Sequence, residues 1–195
     1  MMPKRIAVLF SGAGSNFAYL AEHLDPARFA IVAALTNNPD AGGIAVAHRH
    51  DIPLEIVPSA AYPDREAFDA EVVARLERYR PDLVVLAGFM RILTPIFTDR
   101  IRAINLHPSL LPRHKGLEAI RRSWEDGHEE GGVSVHWVTS ELDGGEIILQ
   151  RTIAKAGMDF ESYDRTIRRI EKEALLEGIE RVCDERKGAE NLSKA

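Results

Sequence analysis

Asn105, His107 and Asp143 are the residues of this chain best suited to chemistry. Asn105-Leu106-His107-Pro108 follows an apolar run, and Glu141-Leu142-Asp143-Gly144-Gly145 comes downstream. Together they offer an amide, an imidazole and a carboxylate, a set that can hold an oxyanion and move a proton at neutral pH. Acyl transfer to an amine passes through a tetrahedral oxyanion, and fixed donors such as an amide NH2 and an imidazolium stabilise that charge. A neighbouring carboxylate keeps an imidazole protonated, and Asp143, in a Gly-flanked turn, is the candidate for that task.

Position supports this reading. Residues two apart in an extended run face one side, so Asn105 and His107 share a face at a strand end, with Ile104 and Leu106 turned to the core. Pro108 ends the strand, and open α/β sheets bind ligands at the carboxyl ends of their parallel strands. Each residue taken alone also has a plainer reading. An Asn and a His at a strand end can satisfy loop backbone, and Asp-Gly-Gly is a common hairpin turn. His136 shares a face with Ser134 and is expected to make a structural hydrogen bond. The His48-Arg49-His50 run lacks metal-ligand spacing and is expected at the surface.

A second candidate site is Ser11-Gly12-Ala13-Gly14-Ser15-Asn16, between an apolar run and a helical pattern. Glycines allow close backbone approach, a helix N-terminus directs N–H groups at an anion, and Ser15 and Asn16 add donors. No Gly-Lys-Ser/Thr follows, and Phe17 stands where a dinucleotide loop needs Gly or Ala. A single phosphate is the expected ligand; a tight turn capped by Ser15 is the other reading. Met90, Arg91, Ile92 and Leu93 are either core or the apolar wall of a flat-ring pocket.

The elements that position these residues follow from periodicity. Apolar runs at 5–10, 30–36, 54–57 and 83–87 read as strands. Helical spacing covers the stretch after Asn16, 43–50 and 64–79. This alternation predicts an α/β fold with a doubly wound, mostly parallel sheet, Rossmann-like in organisation. After His107 the pattern changes: 132–139 and 146–153 read as an antiparallel strand pair, and 160–183 as a closing helix. One domain over 1–185 is expected, followed by a polar, fraying tail over 186–195.

Composition bounds the function. The chain has 195 residues, 45% hydrophobic and 28% charged, with net charge −5. That balance argues against a nucleic-acid binder working by counterion release. Cys183 is the only cysteine, so neither an intrachain disulfide nor a Cys-based zinc site is expected, and a reducing cytoplasm fits. The longest apolar stretch, 83–90, is too short to cross a bilayer.

The ordered motifs carry a resemblance. They are Ser-Gly-x-Gly-Ser-Asn, Asp-Arg-Glu-Ala-Phe-Asp, Leu-Ala-Gly-Phe-Met-Arg-Ile-Leu, Asn-Leu-His-Pro-Ser-Leu-Leu-Pro, Gly-Val-Ser-Val-His and Glu-Leu-Asp-Gly-Gly. From residue 5 to 183 the chain resembles the phosphoribosylglycinamide formyltransferase family of de novo purine synthesis. The resemblance implies that 10-formyltetrahydrofolate, as co-substrate, donates its formyl group to the amine of phosphoribosylglycinamide, without a metal. It implies that Gly14, Ser15 and Asn16 hold the substrate phosphate and that Glu173 grips the substrate amine or ribose. It places Arg65, Met90, Arg91, Ile92, Leu93 and Asn105 at the folate. It assigns Asn105 and His107 to the oxyanion, His107 to proton donation, and Asp143 to keeping His107 charged. It implies small-molecule partners only, with no nucleic acid or membrane, in a cytoplasmic monomer or homodimer.

The stretch from His114 to Arg122 departs from the family pattern at Glu118 and Ile120. Two alternatives remain. A 10-formyltetrahydrofolate hydrolase uses a similar Asn, His and Asp set but carries His and Glu where this chain has Pro108 and Gly144. A non-catalytic folate- or nucleotide-binding module has no need of the triad.

Overall fold

A computed structural model of the chain describes residues 2–192, with side chains described as far as Asp184. Seven strands alternate with six α-helices: β1 (Lys4–Phe10), α1 (Ser15–His23), β2 (Phe29–Thr36), α2 (Gly43–Arg49), β3 (Leu54–Ile56), α3 (Arg65–Tyr79) and β4 (Leu83–Leu86). They continue with α4 (Pro95–Thr98), β5 (Ala103–His107), α5 (Ala119–Glu125), β6 (Glu130–Trp137), β7 (Ile147–Ala154) and α6 (Phe160–Leu192). The strand order is β3-β2-β1-β4-β5-β6-β7. The pairs β1–β2, β1–β4, β2–β3 and β4–β5 are parallel, and β6–β7 is antiparallel. The expected doubly wound, mostly parallel sheet with an antiparallel C-terminal pair is therefore observed.

The chain divides into two compact units, residues 1–105 with 137–145, and residues 106–136 with 146–195. In the first unit, all four residues of β4 and the last five of β1 are buried. Central parallel strands covered on both faces need such unbroken apolar runs. Helix α3 buries Phe68, Asp69, Val72, Val73 and Leu76 along one face, and Asp64 caps its start by accepting from the Ala67 amide at 2.7 Å. That bond satisfies one of the orphan amides of the first turn.

The second unit contains α5, β6, β7 and α6. The fully buried Tyr163 of α6 pairs its hydroxyl with Ser123 of α5 at 2.9 Å. Gly131 of β6 makes room for that phenol, since a Cβ there would lie 2.0 Å from the Tyr163 oxygen. Two short helices, α4 and α5, are absent from the periodicity reading; four and seven residues are too few to register a helical period. Helix α6 passes Cys183, where the apolar stripe ends, and continues to Leu192. The fraying tail expected over 186–195 falls on side chains outside the described residues. Among the described residues, no helix is long and apolar enough to cross a membrane.

Candidate active site

Parallel pairing of β1 with β4 and of β4 with β5 brings the carboxyl ends of three adjacent strands to one edge. The loop after β1 is tied there by its first residue. The Ser11 hydroxyl donates to Asn37 Oδ1 at 2.5 Å and accepts from the Met90 amide at 2.8 Å. Asn38 Nδ2 donates to the Ser11 carbonyl at 3.1 Å, and the Ser11 amide to the Gly88 carbonyl at 3.0 Å. One serine thus links the loop after β1 to the loop after β4.

Gly14 precedes α1 with φ +76°, a left-handed conformation that glycine adopts without penalty. A Cβ at Gly14 would lie 2.6 Å from Gly43 Cα, so the close approach of α2 also demands glycine. Ser15 is the first helical residue and no side chain caps α1, so the reading of Ser15 as a cap is corrected. The Ser15 side chain is exposed, and the buried Oδ1 of Asn16 has no hydrogen-bond partner. A glycine bend, a helix start and an unsatisfied amide oxygen together make a polar cradle. The amide group brings its NH2 donors with that oxygen.

The loop after β4 divides its side chains. Met90 and Ile92 are 66% and 46% exposed, Leu93 is buried, and the Arg91 guanidinium lies 5.0 Å from the centroid of the Phe68 ring. The loop ends at Thr94, which is held by Asp69 of α3: the Asp69 Oδ2 accepts from the Thr94 amide at 2.6 Å and the Thr94 hydroxyl at 2.8 Å. Burial pushes the Asp69 carboxyl above its ordinary range, although the Thr94 bonds oppose it. Asp69 ends the Asp-Arg-Glu-Ala-Phe-Asp motif but carries no role in the sequence reading, though it shares the face of Val72, Val73 and Leu76, an unusual place for a carboxylate. Arg65 stands exposed at the start of α3.

Asn105 and Asp143 are bonded: Asn105 Nδ2 donates to Asp143 Oδ1 at 3.4 Å. Asp143 has φ +47° and is 9% exposed, so a left-handed turn residue also presents a buried carboxylate. Gly145 permits that turn, because a Cβ there would sit 1.7 Å from the Trp137 carbonyl oxygen.

His107, two residues beyond Asn105 on β5, is 6% exposed. Its Nε2 lies 2.8 Å from the His114 carbonyl oxygen. The segment between them is held at several points. Ser109 Oγ donates to the Arg113 carbonyl at 2.5 Å, and the Leu111 amide to Ser134 Oγ at 3.0 Å. Gln150, opposite Ser134 in the β6–β7 ladder, donates to the Leu111 carbonyl at 3.0 Å and to Ser134 Oγ at 2.9 Å. Ser134, noted in the sequence only beside His136, is thus the strap for the Ser109-Leu110-Leu111 turn. Glu173, on α6, is held by Arg169 at 3.0 Å with its side chain 44% exposed. Two residues earlier, burial pushes the carboxyl of Glu171 up to about 7. No sequence pattern marks Glu171, because desolvation is a property of the packed chain.

Comparison with known proteins follows the same outline. Residues 4–179 match the formyl transferase family model. A phosphoribosylglycinamide formyltransferase of Escherichia coli (strain K12) is 43% identical over 76% of this chain and 72% of its own length. The crystal structure of phosphoribosylglycinamide formyltransferase from Campylobacter jejuni superposes with a TM-score of 0.89 at 43% identity, covering 93% of this chain and 98% of that one. A trifunctional purine biosynthetic protein of Chironomus tentans is 37% identical over 77% of this chain, which spans only 11% of that larger protein.

Proposed function

This chain belongs to the formyl transferase family, and from that membership we propose how it transfers a formyl group to the amine of phosphoribosylglycinamide in purine biosynthesis. The donor is 10-formyltetrahydrofolate. The observation that carries the reading is the Asn105 amide at the carboxyl end of β5, bonded to the buried Asp143 carboxylate.

The amine attacks the formyl carbon, and a new C–N bond forms as the carbonyl electrons move to oxygen. Asn105 and His107 are the donors for that oxyanion, fixed before the reaction and therefore costing little reorganisation in the transition state. The attacking nitrogen gives up a proton, and the intermediate collapses by breaking the bond to the folate nitrogen, which takes a proton through His107 or a water ordered by Asp143. Asp143 favours the charged imidazole. In the loop after β1, the backbone amides at the start of α1, with Ser15 and Asn16, receive the substrate phosphate. Met90 and Ile92, exposed on the loop after β4, give the pterin an apolar wall, and Arg91 and Leu93 complete that segment. Arg65 offers a cation to the folate, and Glu173 a carboxylate to the substrate amine or ribose.

The test is release of tetrahydrofolate from 10-formyltetrahydrofolate, with and without phosphoribosylglycinamide. Release that requires the glycinamide substrate supports transfer; release without it makes the chain a hydrolase. His107→Ala is expected to lower turnover by about two decades or more while substrate binding is largely kept. Unchanged turnover would remove His107 from the reaction.

A further inference from the structure

The departure noted in the sequence, His114 onward, contains an arrangement that the transfer reaction does not itself account for. His114 has φ +57°, a left-handed conformation that non-glycine residues adopt infrequently. This bend accompanies a carbonyl placed 2.8 Å from His107 Nε2. The His114 ring is anchored in turn, with Nε2 2.6 Å from Asp126 Oδ2. Asp126 is itself surrounded: Lys155 Nζ donates to Oδ1 at 2.6 Å, the His128 amide donates to Oδ1 at 2.9 Å, and Arg113 lies 3.5 Å from Oδ2. Lys155 also donates to the Ser123 carbonyl and stands 6.0 Å from the Tyr163 ring centroid.

Burial alone would raise the Asp126 carboxyl. The bonds from Lys155, His114 and the His128 amide outweigh it and hold the group well below the usual carboxylate range. An ionised carboxylate only accepts, so His114 Nε2 carries a hydrogen toward it. A carbonyl oxygen also only accepts, so His107 Nε2 carries a hydrogen toward His114.

We infer that His114, anchored by Asp126, is a positioning residue for His107: its carbonyl holds the Nε2–H tautomer and makes Nδ1 the nitrogen that exchanges the proton. The ring nitrogen that titrates is set by the bond the other nitrogen makes. Such outer partners commonly change a site's performance by about tenfold or more when removed. The inference rests on the assignment of His107 to the transfer step.

The test combines the nitrogen-15 chemical shifts of the His107 ring with steady-state kinetics, in the full chain carrying His114→Gly or Asp126→Asn. The wild-type neutral ring is expected to be in the Nε2–H form. In both variants a mixture of tautomers is expected, with kcat lowered about tenfold and KM for either substrate within about twofold. Glycine at 114 relieves the left-handed backbone but also removes the buried bond to Asp126, so a lowered melting temperature is expected. The readout that a purely structural role does not move is the change of tautomer together with a fall in kcat at nearly constant KM. Wild-type tautomer and wild-type kcat in His114→Gly would overturn the inference, and that variant decides the matter if Asp126→Asn does not fold. His107→Ala separates the two levels. Wild-type turnover there removes the catalytic role itself, whereas a dead His107→Ala beside an unaltered His114→Gly removes only the positioning.

Discussion

The side-chain amide of Asn105 and the carboxylate of Asp143, 38 residues apart in the chain, meet at 3.4 Å. Asp143→Asn tests what the charge contributes. Asn tolerates the left-handed φ of +47° and still offers an oxygen to Asn105, so fold and local geometry are expected to survive. With the charge gone, kcat should fall by about two decades while the melting temperature moves little. Wild-type kcat in Asp143→Asn would mean that Asp143 serves the turn and not the reaction.

Gly14 and Ser15 are adjacent but should fail differently. Gly14→Ala places a methyl 2.6 Å from the Gly43 backbone at φ +76°, so both strain and overlap oppose it. A loss of about 2–4 kcal/mol is expected in chemical denaturation. Ser15 is exposed, so Ser15→Ala should leave stability nearly unchanged. Its effect is expected in KM for the phosphoribosyl substrate, raised about tenfold through loss of a bond to a charged group, with KM for the folate unaltered. Equal changes in the two KM values would detach this loop from the phosphate.

Glu171 predicts a pH dependence of stability. Its folded-state carboxyl is raised from 4.5 to about 7, first by burial, with Asp164 adding to the shift and Arg168 and Lys172 opposing it. A raised folded value means that the folded chain holds the proton more tightly than the unfolded chain. Its contribution is therefore fully present below about pH 4.5 and is lost as pH rises through about 7. The side chain is partly exposed, which reduces the full effect of such a shift to about 2 kcal/mol. Glu171→Gln should match the wild type near pH 4.5 and exceed its stability by about that amount at pH 8, in denaturant melts at the two values. Parallel pH profiles for the two proteins would show that Glu171 ionises normally.

Local pattern made much of this molecule legible. The unbroken apolar run of β4 and the helical spacing of Phe68, Val72 and Leu76 are short-range signals, and the structure keeps both. The alternation of β5 likewise puts Asn105 and His107 on one face of one strand. Gly14 was marked by type and place, because few residues tolerate φ +76° before a helix. Most boundaries differ by a residue or two where end hydrogen bonds compete, α6 runs on past its expected end at Cys183 to Leu192, and α4 and α5 are too short to carry a period.

What pattern does not carry is partnership at long range. Ser11 receives the Met90 amide 79 residues away, Asp69 closes on Thr94, and Ser134 with Gln150 straps the turn at Leu111. Nothing in the neighbouring residues of any of these announces its partner. The same holds for charge: Asp126 and Glu171 are both carboxylates with one charged neighbour in the sequence, Glu125 and Lys172. Packing surrounds Asp126 with cationic and amide donors and pushes Glu171 the opposite way by desolvation. Residue type and spacing by themselves determined the fold class and the candidate chemical groups, because both depend on local geometry. Which of those groups is charged, anchored or strained was decided only by the folded chain, because solvation and hydrogen-bond partners exist only once distant segments have met.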